Sequence, residues 1–325
     1  MTRFQPMIRS LALTLALAAL TCFSAAAESL SPLPMNDLSF GLAPKTENYL
    51  SAQEYADDSI AVRLYEDEYD GTKYFFAHVK ITHPSQLRTI PAAVVNSPRA
   101  AFARSASENN FRGRYVAKAV NAVIAINGDF YTKTDMCKVV LRQGQQVRNM
   151  ANGASDLLVI DKNGDFSALP AAQCADPEAY AAYYEAHHDE MYQVFCFGPV
   201  LVENGESVVP DDYQNNSVGA QKRTQRSAIA QLGPLEYMLI TCNGPQTQNN
   251  KGMTVAEFAA VCEAAGKRLN ENGCRLAYNL DGGNSSTLVF RETNKKTGKL
   301  NYVKVNCPEI ERFLGDMIYF ATLVK

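Results

Sequence analysis

The sequence predicts an α+β fold in which a mixed, mainly antiparallel β-sheet core is covered by a few packed helices. Short apolar segments are separated by the turn dipeptides Asp70-Gly71, Asn163-Gly164 and Asn204-Gly205, a pattern typical of β-hairpins. Helical patterns are few, and the clearest one follows a capping box formed by Thr254 and Glu257. Hydrophobic residues make up 46% of the chain and charged residues 20%, which indicates a globular protein with a sizeable core.

Each element follows from a local signal. Alternating apolar residues predict strands, and an Asp-Pro pair or a capping box predicts the start of a helix. In chain order, the predicted elements are a hairpin (residues 59–82), a basic and partly helical segment (97–120), a strand (122–127), hairpins about Gly144 and Gly164, a helix from Pro177, two strand pairs (195–208 and 226–244), a helix after Thr254, a strand–turn–strand unit (276–290) and a C-terminal strand pair.

The N-terminus resembles a secretory signal. Arg3 and Arg9 precede an apolar run, and the small residues 24–27 follow it. A retained anchor is the alternative, but the run of about 17 residues is short for a spanning helix. We therefore predict a cleaved signal peptide (1–27), a partly disordered lead-in (28–58) and one domain (59–325). The mature protein is expected to be secreted or extracytoplasmic, with no further membrane span.

Charge and cysteine content exclude several classes. The formal net charge of −3 gives no support for a nucleic-acid partner. Seven cysteines remain after signal cleavage, and none form a CxxC pair, which argues against a zinc or thioredoxin-like site. In an exported protein we expect some of them to form disulfides and at least one to stay unpaired, although buried thiols are also common in cores.

Two polar elbows stand out because each follows an apolar strand and carries a carboxylate. The Asn127 elbow (residues 127–129) reads Asn-Gly-Asp, and the Asp281 elbow (residues 281–287) reads Asp-Gly-Gly-Asn-Ser-Ser-Thr. The glycines allow close approach to main-chain N–H groups, and the strands would hold each carboxylate rigidly. The alternative is a pair of ordinary turns without chemistry.

Four segments occur in an order that resembles the phosphodiester glycosidase family: AINGDF, FGPVLVENG, RSAIAQ and GMTVAEFA with YNLDGGNSS. The resemblance spans residues 75–325. It implies an enzyme that cleaves the bond between a sugar and a phosphodiester in a glycan or sugar-phosphate polymer. The arginine segment near the family's C-terminus appears here as Glu311-Arg312-Phe313-Leu314-Gly315-Asp316. Asn284 stands where family members often have a third glycine, and Asn243 stands where they often have Asp.

The resemblance suggests roles for these residues. Two carboxylates usually flank a bond that breaks through an oxocarbenium-like state, and Asp129 with Asp281 form the natural pair. Arg226 and Arg312 would bind the phosphate oxygens. The remaining substrate contacts are expected from Asn127, Gly128, Asn243, Gly282, Gly283, Ser285, Ser286 and, as a stacking platform, Tyr131.

Other readings of these residues stay open. No cofactor is required, but Asp129 and Asp281 could bind Ca²⁺ or Mg²⁺, since carboxylate oxygens suit hard cations. Arg226 and Arg312 could be structural ion-pair partners. A non-catalytic glycan-binding module is the alternative function. A serine esterase using Ser285 or Ser286 is a third, although GGNSST lacks the GxSxG elbow.

Overall fold

A computed structural model describes residues 30–95, 111–129, 137–150, 155–247, 249–294 and 296–325. The predicted signal peptide, the stacking residue Tyr131 and residues 97–110 of the basic segment 97–120 lie outside these residues. No helix within the described ranges is long and apolar enough to span a membrane.

The described residues form many short strands and four α-helices. The strands are β1 (Tyr49–Ser51), β2 (Glu54–Ala56), β3 (Ile60–Tyr69), β4 (Thr72–Ile81), β5 (Leu87–Pro91), β6 (Phe111–Arg112), β7 (Ile124–Asn127), β8 (Val139–Arg142), β9 (Gln145–Asn149), β10 (Leu157–Asp161), β11 (Phe166–Leu169), β12 (Met191–Phe195), β13 (Val200–Glu203), β14 (Glu206–Ser207), β15 (Ser227–Gly233), β16 (Glu236–Cys242), β17 (Leu276–Leu280), β18 (Leu288–Thr293), β19 (Leu300–Lys304), β20 (Phe313–Leu314) and β21 (Asp316–Phe320). The helices are α1 (Gly113–Ala119), α2 (Ala171–Ala175), α3 (Pro177–His187) and α4 (Val255–Leu269).

Three large sheets dominate the fold. The first has nine strands in the order β1-β2-β3-β4-β16-β15-β17-β13-β14, the second five in the order β11-β10-β12-β8-β9, and the third five in the order β19-β18-β7-β21-β5. A small fourth sheet pairs β20 with β6. Every strand pair between these described elements is antiparallel, which confirms the α+β class with a mainly antiparallel core.

The predicted hairpins and helix starts are confirmed. Asp70 and Gly71 both adopt positive φ in the turn between β3 and β4, as a tight hairpin requires. The Asp176 carboxylate accepts the first free N–H groups of α3, and the reciprocal capping box of Thr254 and Glu257 starts α4. Here local side-chain chemistry was sufficient to place the element.

The region predicted to be a partly disordered lead-in contributes two short strands to the first sheet. Strands β1 and β2 extend that sheet at its edge, and the Tyr55 side chain is fully buried. The Ser, Pro and Asn content of this region indicates turns and gives no sign of strands. The strands are instead held by pairing with β3 and by burial of Tyr55. The domain boundaries themselves remain a prediction.

One central core joins the three large sheets. It contains Val79 from the first sheet, Phe195 from the second and Ile318 from the third. A separate core lies between the first sheet and α4, where Phe258 and Cys262 are buried. Because all three sheets share the central core, strand ends from each sheet can reach one region of the molecule.

Candidate functional site

The two elbows lie against each other, although more than 150 residues separate them in the sequence. The backbone N–H of Asp281 donates to the carbonyl of Gly128 at 3.1 Å. The Asn127 side-chain amide donates to the Gly128 carbonyl at 3.0 Å and to the Asp281 carbonyl at 2.8 Å. Asn127 therefore fastens one elbow to the other, and both of its amide hydrogens are used within the protein.

A buried arginine joins the first elbow to the start of β21. Arg142, at the end of β8, donates from Nη2 to Oδ1 of Asp129 at 2.9 Å, and from Nε and Nη2 to Oδ2 of Asp316 at 3.0 and 2.7 Å. Its third nitrogen donates to two main-chain carbonyls. The Arg142 and Asp129 side chains are fully buried. The other oxygen of Asp129 accepts the backbone N–H of Cys196 at 3.0 Å.

Gly128 makes room for this cluster. A Cβ atom at Gly128 would lie 2.4 Å from both carboxylate oxygens of Asp316, which is far inside contact distance. The Gly128 N–H also donates to the Asp316 carbonyl at 3.3 Å. The sequence predicted Gly128 to be a substrate contact; its position shows a steric requirement for glycine, and the predicted contact stays untested.

Burial raises the pKa of the Asp281 and Asp316 carboxyl groups. It raises the pKa of Asp281 to about 7, against the opposing effects of the Ser285 hydroxyl and the Arg312 charge. Burial also raises the pKa of Asp316 to about 7, although the Arg142 charge lowers it, and the charges of Asp129 and Asp281 raise it further. Oδ1 of Asp316 is buried and makes no hydrogen bond to any residue that the structure describes.

Arg312 is the exposed cation of the site. It lies just before β20 and close enough to Asp281 to lower the pKa of that carboxyl. The loop 305–312 that carries it is held from both ends. The Lys304 ammonium donates to the carbonyls of Cys307 and Ile310, and the side-chain oxygen of Asn243 accepts the Cys307 N–H at 3.0 Å. Asn243 is buried, and its hydrogen bond to the Cys307 N–H supports this loop. Its predicted contact with substrate is untested.

The guanidinium of Arg226 binds main-chain carbonyls of neighbouring segments. Four of its N–H groups donate to the carbonyls of Met253, Val218, Gly219 and Lys222, at 2.6 to 3.1 Å. Burial lowers its pKa to about 10. These bonds tie the end of a loop to β15, so Arg226 has a supporting role in the fold. The predicted phosphate contact is untested, and the hydrogen bonds leave at most one N–H for it.

The remaining predicted contacts divide into two groups. Ser285 faces the Asp281 carboxylate, whereas the Ser286 hydroxyl is fully buried and donates to the Arg226 carbonyl at 2.9 Å. A Cβ at Gly282 would lie 2.7 Å from the Gln225 carbonyl, and Gly283 adopts φ of 58°. Both glycines are thus required by the turn itself.

The four histidines, the natural partners of a serine nucleophile, are engaged elsewhere. His78 contacts Glu236, and His83 caps a short helix through Ser85. His187 is part of α3, and His188 immediately follows it. The serine-esterase alternative therefore has no support from these contacts.

The predicted Ca²⁺ or Mg²⁺ site at Asp129 and Asp281 remains a prediction. Both oxygens of Asp129 already accept hydrogen bonds, one from a guanidinium, so a hard cation would compete with Arg142.

The sequence predicted no functional role for Arg142 or Asp316. Each lies at the end of an apolar strand, in VVLR and DMIYF, and an isolated charge there usually marks the solvent boundary. The one available signal was position: Asp316 begins the strand four residues after the predicted Arg312.

Comparison with known proteins identifies the family. The family model for phosphodiester glycosidases matches residues 120–321, which include both elbows, Arg142 and Asp316. The chain belongs to the phosphodiester glycosidase family. No curated protein matches the sequence.

Solved structures include two similar chains. The catalytic domain of zebrafish N-acetylglucosamine-1-phosphodiester alpha-N-acetylglucosaminidase, auto-inhibited by its pro-peptide, has a TM-score of 0.54 and 16% identity over 91% of this chain and 100% of that one. A hypothetical protein from Synechocystis has a TM-score of 0.45 and 15% identity over 81% of this chain and 62% of that one. The similarity to the zebrafish structure shows that the two chains share a fold.

Proposed function

We propose that this phosphodiester glycosidase is an exported hydrolase that cleaves the C1–O bond of a sugar-1-phosphodiester in a glycan or cell-envelope polymer. The observation that carries the proposal is a cluster of three carboxyl groups from strand ends. Asp129 and Asp316 share buried Arg142, and Asp281 lies close enough to both carboxyl groups and to exposed Arg312 for their charges to act on one another. Family membership supplies the class of bond.

The three carboxyl groups differ in what they can do. Asp129 has both oxygens fixed by hydrogen bonds, and its side chain is fully buried. Asp281 retains 9% exposure and has a pKa near neutrality. A group that exchanges protons at neutral pH is the better acid–base catalyst. We therefore assign the direct contact with the sugar to Asp281, as acid–base group or nucleophile, and an electrostatic role to Asp129.

The reaction adds water across the C1–O bond. The hydroxyl goes to C1, the phosphate oxygen leaves with the bonding pair, and Asp281 accepts the surplus proton. Phosphate is a good leaving group and needs charge stabilisation more than protonation. Arg312 is positioned to provide it, because a guanidinium binds phosphate oxygens in a bidentate fork. Positive charge on C1 would be stabilised by the nearby carboxylates.

Export is the second part of the proposal. It is supported by the charged, apolar and small-residue sequence of residues 1–27. The expected substrate is thus a polymer outside the cytoplasm. N-terminal sequencing of the protein from its native host tests this, and an N-terminus at residue 28 is the expected result.

Isotope labelling tests the reaction. Purified protein is incubated in ¹⁸O-water with methyl phosphodiesters of several sugar-1-phosphates, and both products are analysed by mass spectrometry. We expect ¹⁸O in the released sugar and none in methyl phosphate. Label in the phosphate would identify a phosphodiesterase instead, because the P–O bond would then have broken.

A catalytic variant separates turnover from binding. Asp281→Asn is expected to lower kcat by about 10³-fold or more while still binding substrate, as loss of a central catalytic group commonly does. The exposed Asp189→Asn variant serves as control. Saturable binding without any turnover by the unmodified protein would favour the glycan-binding module.

A further inference from the structure

Two buried thiols lie behind Asp129 and have no part in the proposed reaction. Cys137 lies two residues before β8, and Cys196 directly follows β12. Their sulfur atoms and a carboxylate oxygen of Asp129 all lie within 4.8 Å of one another. The two thiols are also in hydrogen-bonding contact. Such a pair can consist of core thiols, metal ligands or disulfide partners.

A metal ion fits this cluster poorly. Structural zinc takes four protein ligands, and the cluster offers three among the described residues. Asp129 also bonds the Arg142 guanidinium at 2.9 Å, so a cation would share its carboxylate with a positive charge that cannot be deprotonated. The two thiols are unbonded in this structure. Their mutual contact favours a bond between the two sulfur atoms over a metal site.

We propose that Cys137 and Cys196 form a disulfide bond that closes β8 to β12, the whole second sheet, into one covalent loop. The bond forms by exchange with an external small-molecule or protein disulfide: the Sγ–Sγ bond forms, and the external S–S bond breaks as it accepts two electrons and two protons from the two thiols. The inference rests on the proposed export, because oxidising compartments supply such disulfides.

The loop carries both groups that hold Asp129. Arg142 donates to one oxygen of Asp129 and the Cys196 N–H to the other, and the two cysteines are 59 positions apart in the sequence. A cross-link between Cys137 and Cys196 thus connects the strand that ends at Arg142 with the strand that ends before Cys196. Closing a loop of this length stabilises the fold mainly by restricting the unfolded chain.

The surroundings indicate a permanent cross-link. Burial, the Cys196 thiol and the Asp129 charge raise the pKa of the Cys137 thiol well above its usual range. Because the thiolate is the attacking species, the reduced Cys137 thiol would react slowly once the protein has folded. After the bond has formed, burial of both sulfur atoms limits attack by an external thiolate. The bond therefore forms during folding, before the two thiols are buried, and native protein is expected to resist mild reductants.

Peptide mapping tests the pairing. Reduced, denatured protein is refolded in a mixture of oxidised and reduced glutathione, alkylated and digested without reduction. We expect a cross-linked peptide pair that contains Cys137 and Cys196 and is two hydrogen masses lighter than the two reduced peptides together. Cys174→Ala, which removes a buried thiol from the same region, should leave this product unchanged.

Thermal unfolding supplies an independent readout. Cys137→Ser, Cys196→Ser and the double variant should each lower Tm by a similar amount, about 5 °C, because either single change abolishes the same bond. Additive losses would indicate two separate core contacts and overturn the proposal. So would alkylation of both thiols in the refolded protein, or retention of stoichiometric zinc.

A comparison of refolded protein with protein isolated from its native host distinguishes failure of this inference from failure of the proposed function. A cross-link in the refolded sample that is absent from protein isolated from its native host supports the pairing and counts against export. A cross-link in both samples with no release of sugar supports the disulfide and counts against the glycosidase reaction.

Discussion

Asp129 and Asp281 carry the same functional group at two strand ends, but their surroundings give them different properties. Asp129 is enclosed by the Arg142 guanidinium and a backbone N–H, which stabilise its charge. Asp281 is buried, and the Ser285 hydroxyl and the Arg312 charge offset only part of the effect of burial, so its pKa rises to about 7. Enzymes commonly give separate roles to chemically identical carboxyl groups by placing them in different environments.

Arg312 provides a test of phosphate binding at the scale of one residue. Because its side chain is exposed, Arg312→Ala should change the free energy of unfolding by no more than about 0.5 kcal/mol. It should lower kcat/KM at least about 100-fold and raise the pKa of Asp281, since a positive charge that favours the carboxylate is lost. Kinetics across pH 5–9 measure both effects.

Arg112→Ala is the matched control for that experiment. Arg112 is also exposed and pairs with Phe313, the residue after Arg312, in the small fourth sheet. An equal loss of activity in the Arg112 and Arg312 variants would contradict a specific role for Arg312.

Gly128 tests the steric fit of the cluster. Gly128→Ala places a methyl group 2.4 Å from the Asp316 carboxylate, so we expect about 1–3 kcal/mol of destabilisation and a large loss of activity. In the control Gly233→Ala, the nearest atom is a Glu236 carboxylate oxygen at 3.5 Å, an ordinary contact. Chemical denaturation of both variants provides the comparison, and equal stabilities would show that the cluster relaxes freely.

At the scale of elements, the elbows depend on contacts from outside their own strands. Asn127 bridges the two elbows, and the Ser286 hydroxyl anchors the second elbow to β15 through the Arg226 carbonyl. These bonds are between residues far apart in the chain. The polar residues of the elbows therefore divide between those that hold the turns together and those, such as Asp281 and Ser285, that face each other at the site.

Substitution of Arg226 distinguishes a supporting role in the fold from a direct contact with substrate. Its side chain satisfies four loop carbonyls, so Arg226→Met should destabilise the fold by about 2–4 kcal/mol because those acceptors lose their donors. Thermal denaturation with and without a substrate analogue measures the effect. Unchanged stability together with a raised KM would instead support the predicted phosphate contact.

At the scale of the whole molecule, the site exists because three sheets share one core. Asp281 follows a strand of the first sheet, Arg142 ends a strand of the second, and Asp129 and Asp316 belong to neighbouring strand ends of the third. Each sheet contributes at least one charged side chain to the site. The closely packed core between the sheets keeps these side chains at fixed positions relative to one another.

This concentration of buried charge predicts how stability depends on pH. A carboxyl group with a folded-state pKa near 7 and an unfolded pKa near 3.9 binds its proton more tightly in the folded protein. Its contribution therefore favours the folded state at low pH and is lost as pH rises from about 4 to about 7. Asp281→Asn should weaken this dependence and raise Tm at pH 8, measured by thermal denaturation from pH 4 to 8.

The exposed Asp189→Asn variant is the control for the pH series and should follow the unmodified protein. A lower Tm for Asp281→Asn at pH 8 would mean that the Asp281 charge is stabilising, contrary to the effect of its burial. Gain of stability with loss of turnover is the usual signature of a functional group held in an unfavourable environment.

Local signals in the sequence were enough for the elements. Turn dipeptides, the Asp176 cap and the Thr254–Glu257 box predicted hairpins and helices correctly, since each depends on residues within a few positions of one another. The two elbows were recognisable for the same reason. The order of four short segments was sufficient to indicate the family, which the match over residues 120–321 confirms.

By itself, then, the sequence determined the fold class, most hairpins and helix starts, the family and the two carboxylate-bearing turns. Only the tertiary structure decided that Arg142 and Asp316 complete the cluster, that the Arg226 guanidinium binds loop carbonyls, and that part of the lead-in forms strands. The physical reason is that a charge at the end of an apolar strand has the same local sequence whether it faces water or a buried partner. Its partner is chosen by sheet packing, which brings together residues that the chain keeps far apart.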